Sequence, residues 1–266
     1  MKNKMLIALA TVALLLSGQC GFAAGANDAA SELKDLVTKI QTKLKDGKKT
    51  EKDLGDELKQ FDTLLAEHKG EKTDDVAQIL YMEAMVFEQI LNNTNKAAEL
   101  INRLKQDFPD TKPVAQEEGK KLRATMVEGT KFPDFNEKDV TGKPVSVANY
   151  KGKVVLIDFW ATWCGPCVAE LPNVLKTYEK HHNQGFEIIG ISLDKEEAKL
   201  TSFTKEKNMT WQQFFDGQFW SNKLAVKYGV NSIPATYLLD GEGKIIAKNL
   251  RGEKLDEAVA EALAKK

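Results

Sequence analysis

The sequence is poor in the residues that staple or stiffen a small fold. It holds 3 cysteines among 266 residues, too few for a disulfide-dense scaffold. Its 7 prolines and 18 glycines exclude a collagenous or linker-like chain. A zinc site wants four ligands, and the 3 histidines supply them poorly. His181 and His182 are adjacent, without zinc-finger spacing, and read as the polar end of a helix. Charge of one sign is missing too: 38 basic residues offset 39 acidic ones, leaving −1. No global field therefore invites nucleic acid or an anionic lipid surface. Beyond residue 26 no apolar run reaches the ~18 residues of a membrane span. The hydrophobic content of 42% is nevertheless enough for a real core and excludes disorder throughout.

The N-terminus is the first positive signal. Met1-Lys2-Asn3-Lys4 is a short basic start, and Met5 to Leu16 is an apolar run too short to span a bilayer. Small residues follow at Gly21, Ala23, Ala24, Gly25 and Ala26. Basic, apolar, then small is the order of a secretory signal peptide, here residues 1–26, and it places the mature chain in the periplasm or cell envelope of a bacterium. Ala24-Gly25-Ala26 is one cleavage site and Gly21-Phe22-Ala23 a second. Cys20 stands where a lipoprotein carries its acyl chain, but such sites want a small residue immediately before the cysteine, and Gln19 disfavours lipid anchoring.

Residues 27–129 form the next expected domain, all helical. Leu33, Leu36, Val37, Ile40 and Leu44 recur at three- and four-residue steps, and Leu54, Leu58, Phe61, Leu64 and Leu65 repeat the pattern. A third helix is expected over 74–91, a fourth capped by Thr94 or Asn95, and a fifth from Val114 to Val127. The Met/Phe stripe at 82–87 reads as core. Ala97, Ile101, Leu104 and Pro109 fall at the spacing of a tetratricopeptide-type second helix. An irregular helical bundle fits equally well. No catalytic constellation is present here, so a protein partner of unknown identity is the role open to this half.

Residues 130–266 change pattern. Strand-like runs at 154–160, 186–192, 235–239 and 244–247 alternate with helical stretches, and Asp240-Gly241-Glu242-Gly243 marks a hairpin turn. Asp194 is placed to cap the helix that follows it. The alternation predicts one mixed central sheet with helices on both faces. The chemistry concentrates in Trp160-Ala161-Thr162-Trp163-Cys164-Gly165-Pro166-Cys167, which leaves a buried strand and opens a helix. Two cysteines at this spacing can close a small disulfide ring. The first is expected to be exposed at the helix N-terminus, where the dipole and free N–H groups favour its thiolate. The second, most of a turn deeper, can attack a mixed disulfide, as thiol–disulfide exchange requires.

This segment resembles the thioredoxin active site, and the domain resembles the thioredoxin superfamily. Phe132-Pro133-Asp134-Phe135, Gly142-Lys143-Pro144-Val145-Ser146-Val147, Tyr150-Lys151-Gly152-Lys153-Val154-Val155 and Cys164-Gly165-Pro166-Cys167-Val168-Ala169-Glu170-Leu171-Pro172 are similar to the TlpA/ResA-type branch of exported redoxins. The resemblance covers about residues 130–266 and implies a thioredoxin-like α/β domain behind the helical one. It implies a redox-active Cys164–Cys167 disulfide with no other cofactor and no metal. It also implies protein disulfide substrates and a membrane thiol donor of electrons. Ile233-Pro234 matches the cis-proline loop that meets substrate backbone. Asp158 matches the buried acid that takes the proton of the deeper thiol, and Glu170 the active-site glutamate of the branch. Trp163 matches the aromatic that flanks the reactive sulfur. Gly165-Pro166 looks like the reducing type, and both residues join the substrate-facing set. Many envelope relatives lack an acid at the position of Asp158, so carrying both acids blends two patterns. Cytochrome c maturation and general disulfide repair are both compatible with this reading. A peroxiredoxin-like peroxide reductase is the alternative enzyme, although the proline of that motif is missing and Thr162 is one position off. A helical partner-binding module with an accessory redox domain is the alternative from another class.

Overall fold

A computed structural model describes residues 29–265. The signal peptide expected at 1–26 and the anchoring position Cys20 lie outside the described residues. Among those described, no helix is long and apolar enough to cross a membrane. The chain divides into two compact units between Ala115 and Gln116.

The first unit is all helical, as the apolar periodicity required. Helices α1 (Ala29–Lys45), α2 (Gly55–Glu67), α3 (Asp74–Met85) and α4 (Thr94–Asp107) bury one apolar stripe each around Leu36, Ile40, Phe61, Ile79, Leu80 and Leu104. Helix α3 is buried nearly all round, and a π-turn at Val86–Ile90 extends it, so the Met/Phe stripe is core. Thr73 caps α3 by accepting from the Val76 N–H. Asn93, rather than Thr94 or Asn95, caps α4, accepting from the Lys96 N–H at 3.0 Å. His68 lies between Glu32 (2.9 Å) and Glu71 (3.1 Å), tying α1 to the end of α2.

Two acids are buried in this unit: Glu57, paired with Lys43 at 2.6 Å, and Glu83. The Glu83 side chain is buried, and desolvation pushes its carboxyl up to about 7, helped by Asp62 and opposed by Lys96 and Arg103. The folded unit therefore keeps a proton that the unfolded chain releases near the ordinary value of 4.5. Stability contributed by this group is full below that value and is lost as pH rises through about 7. Glu83→Gln is expected to stabilise the unit at alkaline pH by up to ~3 kcal/mol and to flatten its pH dependence. Denaturant melts on both sides of neutrality read this out.

Helix α5 (Lys112–Thr125) crosses the division. The boundary expected at 129/130 therefore falls later than the observed one. Its physical reason is Gly119, whose backbone lies against α8 (Lys223–Lys227) and the turn after it. A Cβ at Gly119 would sit 2.0 Å from the Val226 carbonyl oxygen, so the second half of α5 belongs to the second unit. Gly119→Ala should force the two backbones apart, costing about 1–3 kcal/mol, readable as a lowered melting midpoint.

The second unit is built on a five-stranded mixed sheet in the order β5-β4-β3-β6-β7. Its strands are β3 (Val154–Trp160), β4 (Phe186–Ser192), β5 (Gln212–Phe215), β6 (Ala235–Leu239) and β7 (Ile245–Lys248). A short antiparallel hairpin, β1 (Glu137–Lys138) with β2 (Pro144–Val145), is fastened to the edge strand β5 by a bridge between Asp139 and Phe214. The central strand β3 runs parallel to β4 and antiparallel to β6. The central strand β3 and its two neighbours, β4 and β6, are buried almost throughout. On one face, Leu156, Asp158 and Trp160 point toward α6 (Gly165–His181) and α9 (Glu253–Ala264), and Trp160 also meets Phe203 of α7 (Glu197–Glu206) at 5.7 Å. On the other, Phe159 packs on Tyr228 at 6.1 Å, and Tyr228 packs on Phe132 at 4.8 Å. Helices on both faces follow, as expected. His181 is buried and bonds Asp256 of α9 at 2.8 Å, a tie between two helices rather than a solvated helix end.

Candidate active site

Strand β3 ends at Trp160, and Ala161-Thr162-Trp163 carries the chain to the head of α6. Asp194 fixes this crossing. Its place in the sequence predicts a cap for the helix after it, but α7 starts beyond Glu196 without a side-chain cap. The buried Asp194 carboxylate instead accepts from the Thr162 N–H (3.1 Å) and hydroxyl (2.5 Å) and from the Ser192 hydroxyl (2.8 Å). Three donors at the end of the sheet outcompete a cap, because each would otherwise lose its partner where water is excluded.

Cys164 is the N-cap of α6, and its sulfur accepts from the Cys167 N–H at 3.2 Å. Pro166, in the first turn, gives up an N–H that has no helical partner there. Cys164 and Cys167 are joined as a disulfide, with Cα atoms 5.2 Å apart. Gly165 and Pro166 are exposed. Cys164 is not exposed as expected: only 5% of it is accessible, against 7% of Cys167. With its sulfur turned in onto Cys167 and the helix N–H, the disulfide presents little of either residue. Trp163 takes the exposed position, 45% accessible, leaning on Phe219 (4.9 Å) and Trp220 (6.0 Å). Trp220 thus lies beside the site, whereas Trp211 is core against Tyr178.

Beneath the disulfide lies a narrow cleft. Cys167, Asp158, Glu170 and Pro234 all line it, so four sequence-predicted residues converge. Glu170 stands one turn after Cys167 on the same helix face. The Ile233–Pro234 peptide is cis. Asp158 keeps partial exposure toward the cleft. Desolvation still pushes its carboxyl up to about 7; Arg251 opposes the rise, and Glu170 adds to it. Glu170 accepts from the Gly252 N–H at 2.7 Å and from the Asn173 side chain at 3.2 Å. Gly252 has φ 58° and ψ −137°, a conformation open to glycine and strained for other residues.

Arg251 is the site residue that the sequence does not announce. Its guanidinium donates to the Pro234 carbonyl (2.7 Å), the Thr236 hydroxyl (3.1 Å) and the Leu250 carbonyl (2.6 Å). Thr236 faces Asp158 across the β3–β6 ladder, which is how residue 251 reaches a site built around 164. The available signal is indirect: a glycine just before the acidic first turn of α9. Among the described residues no group of three or more His, Cys, Asp or Glu is placed to hold a metal ion.

A disulfide at a helix head beside a cis-proline, set on a mixed sheet with an acid below the deeper cysteine, defines a thioredoxin-type domain. The chain belongs to the redoxin family, whose model matches residues 127–264. Thiol-disulfide oxidoreductase ResA of Bacillus thuringiensis subsp. konkukian is 32% identical over 137 residues, which is 52% of this chain and 77% of the relative. ResA of Bacillus subtilis is 29% identical over 124 residues, 47% of this chain and 68% of the relative. Among solved structures, the thioredoxin domain of a thiol-disulfide oxidoreductase from Bacteroides vulgatus is 34% identical, covers 52% of this chain and 98% of its own, and has a TM-score of 0.47. The chain is a TlpA/ResA-type thiol–disulfide oxidoreductase.

Proposed function

We propose that the chain is an exported, envelope-facing reductase of protein disulfides. The observation that carries this reading is the Cys164–Cys167 disulfide at the head of α6, with Asp158, Glu170 and Pro234 in the cleft behind Cys167. The reduced pair starts the cycle. The Cys164 thiolate, favoured by the N–H groups and dipole of α6, attacks one sulfur of the substrate disulfide. A Cys164–substrate bond forms, the substrate S–S bond breaks, and the leaving thiolate takes a proton from solvent. Asp158 then accepts the proton of Cys167. The resulting thiolate attacks the Cys164 sulfur, closing the intramolecular disulfide and releasing the second substrate thiolate. Two electrons pass from the cysteine pair to the substrate. On this reading the cysteine pair is the sole redox group, and a membrane thiol donor returns two electrons to it.

Trp163, Gly165, Pro166, Ile233 and Pro234 are the substrate-facing set. Exchange is favoured over peroxide reduction because the segment before Cys164 lacks the proline of the peroxidatic motif and Thr162 is one position off. Reduction of a protein disulfide by the purified, pre-reduced chain tests the reading. Stoichiometric transfer of one disulfide per chain is expected, absent in the Cys164→Ala/Cys167→Ala double variant. A pre-oxidised chain that instead oxidises substrate dithiols, with the reduced chain inert, would reverse the direction. The export part is tested by fractionating cells and sizing the mature chain: recovery of a full-length chain with the cytosolic fraction would refute it.

A further inference from the structure

The charges facing the cleft form a closed set. Asp158 comes from β3 and Glu170 from α6, beside Cys167; Arg251 comes from the turn before α9. The other lining residues are apolar, apart from the Thr236 hydroxyl. Arg251 lines the cleft with both carboxylates and donates to Thr236, the residue paired with Asp158 across the β3–β6 ladder, so its charge acts on Asp158 from beside it. Glu170 is already committed to the Gly252 N–H and the Asn173 amide, which leaves Asp158 as the less committed carboxylate of the cleft. Arg251 also grips the segment that carries Pro234, through the proline's own carbonyl and the hydroxyl of Thr236. A planar fork suits that double grip, whereas a lysine would supply only the charge.

We propose that Arg251 is a positioning residue with two separable duties: its forked donors fix the Pro234 carbonyl beside the disulfide, and its charge supports the Asp158 carboxylate that receives the Cys167 proton. The second duty rests on the proton-acceptor reading above. The proton leaves the Cys167 sulfur and passes to the Asp158 carboxylate, and the electron pair left on sulfur forms the new bond to Cys164. Arg251 stays protonated throughout. Its charge favours the ionised carboxylate that must be present before the transfer, against Glu170, which disfavours it. Glu170 also holds Gly252, the neighbour of Arg251, so helix α6 and the Pro234 loop are tied through one turn. The hydrogen bonds to Pro234 and Thr236 should matter most when substrate backbone docks on the loop.

The test is the pH profile of kcat, with KM, for protein-disulfide reduction by the full chain. Asp158→Asn, Arg251→Gln, Arg251→Lys and the Asp158→Asn/Arg251→Gln double variant are compared with the unaltered chain. Asp158→Asn should abolish the limb near neutrality. Arg251→Gln should move that limb up by about one pH unit, the low end for loss of a neighbouring opposite charge, and should add no shift once Asp158 is gone. Arg251→Lys should keep the limb in place and raise KM several-fold, because it keeps the charge and loses the fork. A limb unmoved by Asp158→Asn overturns the proton-acceptor reading and the proposal with it. A limb lost in Asp158→Asn but unmoved in Arg251→Gln overturns the charge duty alone. An Arg251→Lys chain with unchanged KM overturns the positioning duty, even if Arg251→Gln fails to fold. A residue that only supports the fold would lower the melting midpoint and move neither quantity.

Discussion

Replacing Cys164 with serine is expected to cut disulfide reduction by roughly 10³-fold or more, the scale on which removal of a nucleophile acts. The fold should survive, because the substituted hydroxyl would keep the N-cap: the Cys164 sulfur accepts from the Cys167 N–H, and a serine oxygen is a better acceptor there. Cys167→Ser is expected to fail differently. Its first step remains available, so mixed disulfides between Cys164 and substrate should accumulate and be visible on non-reducing gels. The contrast comes from position. Cys164 stands at the terminus of α6, where unpaired N–H groups stabilise a thiolate. Cys167 is inside the first turn and faces the cleft with Asp158. Equal trapping by both variants would mean that either sulfur can attack first.

Asp158→Asn is expected to act in two directions at once. Burial raises the Asp158 carboxyl from 3.8 to about 7, so the folded chain holds a proton that the unfolded chain has released in that window. Its contribution to stability is complete below 3.8 and is lost as pH climbs through about 7. Above that the sheet carries a poorly solvated carboxylate. Asparagine removes this cost, and the variant should be more stable at alkaline pH by on the order of 3 kcal/mol, with little gain in acid. Closure of the disulfide should meanwhile slow by about 10²-fold, the lower range for loss of a general base. Denaturant midpoints at two pH values and stopped-flow decay of the mixed disulfide measure the two effects. A variant both less stable at alkaline pH and equally fast would assign Asp158 to ordinary core packing.

Much of the site can be read along the chain because its parts lie within short stretches. Cys164, Cys167 and Glu170 share one helix turn and the next, and Asp158 lies on the strand that leads into them. Strands β3 and β4 are legible as continuous apolar runs between turn residues. Strand β5 is not, since Gln212-Gln213-Phe214-Phe215 shows no period. Gln213 is buried with its amide oxygen accepting from the Trp160 indole N–H at 3.0 Å, a contact across 53 residues. Arg251 escapes for a related reason. Its place beside Asp158 depends on the pairing of Asp158 with Thr236, and a ladder register between distant strands is not written locally. Asp194 misleads in the opposite sense. Local rules favour an aspartate before a helix, but the donors at the end of β3 claim it.

The same limit applies to the boundary between the units. Helical periodicity continues unbroken through residues 112–125. Nothing in it marks Gly119 as the point where the helix lies against Val226 and Gly229. A place at a helix terminus suggests an exposed Cys164; closure of the disulfide onto the helix N–H is what turns its sulfur inward.

The most direct test of the reductase assignment is the redox state of Cys164 and Cys167 in living cells, taken by rapid acid quench and thiol alkylation. The Cys164→Ala/Cys167→Ala chain serves as the control. A mostly reduced pair is expected, held there by a donor of thiol electrons. A pair found mostly oxidised while its donor is intact would contradict the reductase direction and assign the same disulfide to oxidation of its substrates.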